Sequence, residues 1–189
     1  ALIQIISLLI VCAWYYRFRS APHDRDYTPY SYPAYFKSSW LRGGHVDIKP
    51  PLIHWCYRCW YGTLRLLRIE LNPRSLNAFG IACAVTFVGA VNPLKGLVLA
   101  LLLTAPTLWA HMACTEWLTV LLLSAATYSA SAEIKWLPWI LIGLLPWANQ
   151  KNLLLVPLVG WWIVTSYSAG IWQSWSMLVP SLVIVMYLA

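Results

Sequence analysis

The sequence predicts an all-α polytopic membrane protein, a bundle of about seven transmembrane helices with an extramembrane first loop that contains interfacial helices. The first observation is composition: of 189 residues, 60% are hydrophobic and only 10% are charged, whereas soluble domains carry about 25% charged residues. The second is a mean hydropathy of +0.63. The third is that the apolar residues occur in long runs with brief polar breaks, which is typical of helices in lipid.

The first 74 residues predict one helix and a long loop. Residues 1–16 are apolar and indicate a first transmembrane helix, truncated at its start. Residues 17–74 are polar and aromatic, with a short interfacial helix expected at 34–44 and a second after the two consecutive prolines, at 52–71. Arginines alternate with aromatic residues in this second segment, which is typical of an amphipathic helix at a membrane surface.

Residues 75–189 predict about six further transmembrane helices. They are expected near 76–92, 96–112, 115–131, 135–149, 152–167 and 171–189. The stretch 98–130 would measure roughly 50 Å as one helix, against a hydrocarbon core of roughly 30 Å. It must therefore fold back, and its polar break is His111–Glu116.

The alternation of loops between the two membrane faces predicts where the polar residues gather. Loop 17–74 and the breaks at 111–116 and 149–151 fall on one face. Because several spans are short, the breaks are expected to lie below the membrane surface, where polar backbone is tolerated only in a protein-lined or water-lined cavity. The polar residues expected at this cavity are Asp24, Asp26, Lys49, His111, Glu116, Gln150 and Lys151.

The distribution of charge narrows the class of ligand. The formal net charge is +7, and ten of the 13 Lys and Arg residues lie between Arg17 and Arg74. Nucleic acid is an improbable partner for so apolar a chain, which leaves an anionic lipid surface or a phosphate-bearing substrate. The excess of positive charge by itself favours a cytoplasmic position for loop 17–74.

Two residues of this loop are candidates for chemistry. Lys49 precedes two prolines that hold it at a defined place, and its compact charge suits a phosphate. The alternative is a lysine that reaches lipid headgroups. Asp26 lies at the mouth of the predicted cavity, where a carboxylate can act as a general base. Its alternative is a solvated ion pair with Arg25 or Arg19.

Two further candidates lie in the break within 98–130. Glu116 is an ionisable residue in an apolar stretch, which in a membrane protein indicates a functional group. The alternative is a buried ion pair with Lys151 or an arginine. His111 could transfer protons or cap a re-entrant turn.

The cysteines do not predict a metal or redox centre. Cys56 and Cys59 form a single CxxC motif, but a structural zinc site needs four ligands and a thioredoxin-like motif needs a βαβ unit. We interpret them as two cysteines one helical turn apart. We therefore expect no dedicated metal site and no cofactor, although the sequence leaves a divalent metal open.

A series of short motifs resembles one enzyme family. In chain order they are Asp26 with Tyr30 and Ala34, Lys49-Pro50-Pro51-Leu52, Arg74-Ser75, Cys114-Thr115-Glu116, and Asn149-Gln150-Lys151-Asn152. Together they resemble the N-terminal conserved module of the GT-C superfamily of membrane glycosyltransferases. The resemblance is closest to the branch of aminoarabinose transferases and protein O-mannosyltransferases, which uses polyprenyl-phosphate sugars.

The resemblance implies a role for each candidate residue. Asp26 would be the catalytic base of an inverting sugar transfer to a lipid, glycan or protein acceptor, with Asp24 as a possible substitute and Glu116 assisting at the acceptor. Lys49 and Lys151 would hold the donor phosphate. His111 stands where the family commonly has an arginine and is expected beside that phosphate. The resemblance also implies that loop 17–74 is periplasmic or lumenal, in a bacterial-type inner membrane or an ER-type membrane, against the charge count.

Departures from the family pattern leave a second function open. The acidic pair of the family is Asp26-Tyr27 here, the Gly-Pro after the turn lysine is missing, and the family continues with a C-terminal remainder beyond about seven spans. The chain could therefore be a catalytically degenerate subunit that scaffolds a larger membrane complex. A transporter of lipid-linked sugars is disfavoured because no inverted repeat is visible. Expected partners are the polyprenyl-phosphate sugar donor, membrane lipids and, in the second interpretation, other membrane subunits, but no nucleic acid.

Overall fold

The structure, a computed structural model, describes residues 1–18, 51–69, 73–104 and 116–167. Within these ranges the chain forms eight α-helices and one 3-10 helix, η1. Their bounds are α1 Leu2–Phe18, α2 Pro51–Leu66, α3 Pro73–Val91, α4 Pro93–Leu103, α5 Glu116–Ser131, α6 Leu137–Gly143, α7 Leu145–Ala148, η1 Gln150–Leu154 and α8 Leu155–Tyr167.

These helices do not have the length and apolar character that the sequence predicts. The longest, α3, has 19 residues, whereas α4 has 11 and α8 has 13. Across the described ranges, none of the helices combines the length and hydrophobicity needed to cross a membrane. The prediction of seven transmembrane helices is therefore wrong, and so is the prediction of an integral protein of a bacterial-type inner or ER-type membrane.

The physical reason is that continuous apolar runs are not continuous helices. Helix α4, within the predicted span at 96–112, ends at Leu103, and Thr104 caps it by donating its hydroxyl to the carbonyl of Ala100 at 2.7 Å. The predicted span at 135–149 is divided at Leu144 into α6 and α7. At about 1.5 Å per residue, α4, α6 and α7 measure roughly 6–16 Å, about half of a hydrocarbon core or less.

Proline and asparagine determine where several helices begin. Pro51, Pro73 and Pro93 are the first residues of α2, α3 and α4, a position where the missing amide hydrogen is of no consequence and the fixed φ angle favours a helix. Asn92 caps α4: its side-chain oxygen accepts hydrogen bonds from the amides of Leu94 at 3.0 Å and Lys95 at 3.2 Å. Asn92 is also the entire connection between α3 and α4, so the two helices form a tight hairpin.

Two helices end in a turn whose left-handed residue is not glycine. After α5, the amide of Ile134 donates to the carbonyl of Ser129 and the amide of Glu133 donates to Ala130. This pair of bonds is the Schellman motif, whose turning residue adopts a left-handed conformation. That residue is Glu133, with φ of 58°. The end of α2 is built alike around Arg68, with φ of 55°. Glycine normally occupies such a position because a side chain is strained there.

We expect Glu133→Gly to stabilise the fold by about 1 kcal/mol, because glycine removes the strain of the left-handed conformation. The measurement is the free energy of unfolding in urea. Glu133→Ala is the matched control, since it removes the carboxylate but keeps the strained Cβ. If the glycine variant were no more stable than the alanine variant, the strain would not be present in the folded chain.

Helix α3 lies at the centre of the described bundle, with its most extensive contacts against α5 and α4. It approaches α4 closely where the buried Gly96 faces the backbone of Gly89. On another side it contacts α1, where Gln4 donates its side-chain amide to the carbonyl of Thr86 at 3.2 Å. The core around α3 contains fully buried aromatic and aliphatic side chains, among them Trp117, Trp139 and Ile142.

Helix α2 is attached to this bundle at both of its ends. Near its C-terminal end, Trp60 donates its indole hydrogen to the hydroxyl of Ser75 at 2.7 Å and stacks on Phe79 with ring centroids 5.0 Å apart. Near its N-terminal end, Trp55 packs against Trp147 of α7 with ring centroids 5.8 Å apart. The N-terminal half of α2 is therefore held beside α7.

Candidate functional site

Helix α7 contacts α2, α5 and η1. Its contact with α2 includes the Trp55–Trp147 pair, and Asn152 of η1 bonds to Thr119 near the start of α5. We call this region the candidate site. Glu116 is the first residue of α5 and is half-buried. A carboxylate at this position also interacts favourably with the positive N-terminal end of the helix dipole. The structure thus gives Glu116 a stabilising role in α5 in addition to any chemical role.

The α7–η1 connection is a turn built by two asparagines. Asn149 is extended, and its side-chain oxygen accepts a hydrogen bond from the amide of Lys151 at 3.1 Å. Its carbonyl accepts a second bond from the amide of Asn152 at 2.9 Å. These bonds orient the backbone so that Lys151 is exposed to solvent and Asn152 is buried. The turn therefore presents one cation at the surface and one amide to the interior.

The buried amide of Asn152 fastens this turn to α5. Its nitrogen donates to the hydroxyl of Thr119 at 2.7 Å and to the carbonyl of Leu145 at 3.1 Å. Thr119 follows Glu116 by three residues, and side chains at this spacing lie on the same face of a helix, about 5–6 Å apart. The turn that carries Lys151 is consequently held at the end of α5 that begins with Glu116.

The other candidate residues lie outside the described ranges. These residues are Asp24, Asp26, Lys49 and His111. Lys49 precedes the first residue of α2 by two positions, and the N-terminal half of α2 belongs to the candidate site. The roles of all four residues stay predictions.

Sequence reasoning missed the groups that hold the site together: Asn152, Thr119 and the Trp55–Trp147 pair. One signal was available. Asparagines bounding a short polar break between apolar runs are typical of side-chain-capped turns, and Asn149 and Asn152 bound such a break. In the resembled family a glycine follows the turn lysine. This chain has Asn152 at that position, and the side-chain amide of Asn152 binds α5.

The described residues contain no group of three or more His, Cys, Asp or Glu side chains close enough to hold a metal ion. The expectation of no metal and no cofactor stays a prediction, since much of the long first loop lies outside these residues. Chemically, the described part of the candidate site offers a carboxylate for proton transfer and a lysine for an anion.

The cysteine pair of α2 lies near the candidate site, with different exposure for its two thiols. Cys59 is exposed, whereas Cys56 is half-buried against the core. Burial and, to a smaller extent, the neighbouring Cys59 raise the pKa of the Cys56 thiol from 9.0 to about 11. A thiol with such a pKa is protonated and weakly nucleophilic near neutral pH. The structure therefore favours a packing role for Cys56.

We expect this pKa shift to make the fold less stable in alkali. The thiol of the unfolded chain ionises near 9.0, whereas that of the folded chain keeps its proton until about 11. The folded state thus binds more protons in this window, and the free energy of unfolding falls as pH rises through it. Cys56→Ala should flatten the fall measured by urea unfolding between pH 8 and about 11. Cys12→Ala, at an exposed cysteine, should not. The prediction is contradicted if the free energy of unfolding falls with pH equally steeply in the unchanged protein, Cys56→Ala and Cys12→Ala.

Comparison with known proteins found nothing similar: no protein-family model, no curated protein and no solved structure matches this chain. The likeness to GT-C glycosyltransferases therefore depends on the sequence motifs alone.

Proposed function

We propose that this chain is the donor-binding module of a glycosyltransferase that takes a sugar from a polyprenyl phosphate. One structural observation carries most of the support: the hydrogen bond from Asn152 to Thr119 holds the Lys151 turn beside the first turn of α5, which begins with Glu116. These are two of the motifs on which the resemblance depends. A third, Lys49-Pro50-Pro51-Leu52, runs into α2, whose N-terminal half packs against α7.

The proposed reaction is a direct displacement at the anomeric carbon of the donor sugar. An acceptor hydroxyl oxygen attacks that carbon while the bond to the phosphate oxygen breaks, so the configuration inverts and polyprenyl phosphate departs with the electron pair. Asp26 takes the proton of the attacking hydroxyl, and Glu116 orients the acceptor. Lys49 and Lys151 stabilise the charge that develops on the departing phosphate, which preorganised cations do more effectively than water.

Binding and chemistry can be tested separately in the full chain. Undecaprenyl phosphate, which lacks the sugar, is the probe for binding. We expect Lys151→Ala to weaken its binding about ten- to hundredfold, the effect of losing one hydrogen bond to a charged group. Lys135→Ala is the matched control, because Lys135 is also an exposed lysine but follows the opposite end of α5.

Transfer is measured as release of undecaprenyl phosphate from a panel of radiolabelled undecaprenyl-phosphate sugars, in the presence of lipid, glycan and peptide acceptors that supply the attacking hydroxyl. We expect Asp26→Asn to abolish release while binding persists, and Glu116→Gln to slow it, since each change keeps the shape of the side chain and removes its charge. The proposal is wrong if wild-type protein releases no undecaprenyl phosphate from any sugar, or if both variants turn over normally. Equal binding by the Lys151 and Lys135 variants would remove the phosphate role from Lys151.

A second candidate function, that of a subunit that scaffolds a larger complex, has its own supporting observation. Helix α1 exposes a row of large apolar side chains, Leu2, Ile5 and Leu9, whose spacing puts them on one side of the helix. An apolar row of this kind favours contact with another protein. If the chain is such a subunit, native mass spectrometry should find it in a complex of larger mass. Ile5→Glu should dissociate that complex, whereas Leu67→Glu, at an exposed leucine after α2, should not.

A further inference from the structure

A groove separate from the candidate site runs between α3, α4 and α5. It has a volume of about 570 Å³, within the range of roughly 300–1,000 Å³ that is usual for small-molecule sites. Val88 of α3 forms one part of its wall, Val98 and Leu102 of α4 a second, and Val120 and Leu123 of α5 a third. None of the residues proposed to act in sugar transfer lines it.

The lining of this groove is apolar with very few polar groups. Thr127 lines it too, but its hydroxyl donates to the carbonyl of Leu123 in its own helix at 2.9 Å. Ser124 is buried and small. No carboxylate is among the lining residues that the structure describes. The groove thus suits a hydrocarbon chain, and it has no fixed negative charge that would repel an anion.

Among the described residues that line the groove, one is a cation. Lys95 is exposed, belongs to the first turn of α4 and lines the groove. Its backbone amide is already bonded to the side chain of Asn92. Within the described part of the chain no hydrogen bond or ion pair engages its ammonium group. A bound anion would supply an ion-pair partner for this charge.

Lys95 and the apolar residue Leu102 both line the groove, but they lie at different ends of α4. Lys95 lies at the start of the helix and Leu102 near its end, seven residues apart, which corresponds to roughly 10 Å. A ligand that fits this arrangement has one negative charge and, beyond it, an extended hydrocarbon chain. We infer that the α3–α4–α5 groove binds a linear fatty acid, with its carboxylate at Lys95 and its chain along Val98 towards Leu102. One lysine balances the single charge of a carboxylate, whereas a phosphate monoester would keep an excess of negative charge.

The inference is tested by equilibrium dialysis of the full chain, in buffer without alkyl detergent, against three radiolabelled probes with the same chain and different head groups. The probes are dodecanoate, dodecanol and dodecyltrimethylammonium. Dodecanoate should bind most tightly and dodecyltrimethylammonium least. Lys95→Met should weaken dodecanoate about fivefold, the effect of losing one exposed ion pair, and leave dodecanol unchanged. Lys95→Glu should reverse the order of the two charged probes.

A second pair of variants tests the position of the hydrocarbon chain. Val98 and Leu101 are both about half exposed on α4, but only Val98 lines the groove. Val98→Trp should abolish binding of dodecanoate and dodecanol by filling the groove, and Leu101→Trp should leave both unchanged. The inference is overturned if dodecanoate does not bind, if the two tryptophan variants behave alike, or if Lys95→Met weakens dodecanol as much as dodecanoate. A further outcome also overturns it: dodecanoate does not bind, and Val98→Trp instead abolishes binding of undecaprenyl phosphate. The groove would then bind the proposed sugar donor.

Discussion

Replacing Gly96 with alanine is expected to destabilise the folded chain by about 3 kcal/mol, the upper part of the range for overpacking. A Cβ at this position would lie 2.7 Å from the Cα and 2.9 Å from the amide nitrogen of Gly89, and 3.2 Å from the carbonyl oxygen of Val85. All three atoms belong to the backbone of α3, so no side chain can rotate away. Helices α3 and α4 would have to separate, and α4 would lose contact with α1 as well.

The free energy of unfolding in urea measures this effect, and Gly62→Ala is its matched control. Gly62 is also a helical glycine, in α2, but a Cβ added there meets nothing within 4 Å. Because alanine favours a helix more than glycine does, Gly62→Ala should stabilise the fold by about 0.5–1 kcal/mol. Opposite signs for the two variants are the expected result. If Gly96→Ala were as stable as the unchanged protein or more stable, the α3–α4 hairpin would not be closely packed at Gly96.

Gly80→Ala is the second change with a large expected effect, about 2–3 kcal/mol of destabilisation. An added Cβ would overlap the six-membered ring of Trp117. Trp117 is only 2% exposed, and close packing around a buried ring leaves it no free space to enter. The contact joins the central helix α3 to α5, so the strain would fall on the most extensive helix pair of the bundle.

A double-mutant cycle identifies the partner in this contact. Trp117→Leu leaves space above Gly80, and in that background Gly80→Ala should destabilise the fold by less than about 1 kcal/mol. Urea unfolding of the four proteins gives the coupling between the two positions. Additive effects would show that the ring of Trp117 does not restrict the site at Gly80.

Several helical segments could be located from the sequence, but the prediction that they cross a membrane is wrong. The segment expected at 115–131 is close to α5, Glu116–Ser131, and that at 76–92 is close to α3, Pro73–Val91. Hydropathy alone does not distinguish a long span from two consecutive short helices, and for this reason it predicts one span at 135–149, where the structure has α6 and α7. Apolar runs of 10–14 residues are more typical of core helices than of membrane spans, and α4 and α8 are of this length.

The candidate site was only partly predictable, for a different reason. The polar residues Glu116 and Lys151 stand out against their apolar neighbours, but the alternation of loops that groups them on one face assumes membrane-spanning helices, which the described ranges do not contain. The bond that holds the two segments together joins Asn152 to Thr119, 33 positions apart in the chain. Local sequence patterns report capping and periodicity, but not which buried amide will meet which hydroxyl across the fold.

The central position of α3 has a consequence for how the molecule opens. This helix contacts α1, α2, α4 and α5, so its amides cannot reach water by the detachment of a single neighbour. In deuterated solvent its amide hydrogens should be replaced last, at a rate set by global unfolding, whereas those of the exposed segment after α2 should exchange early through local opening.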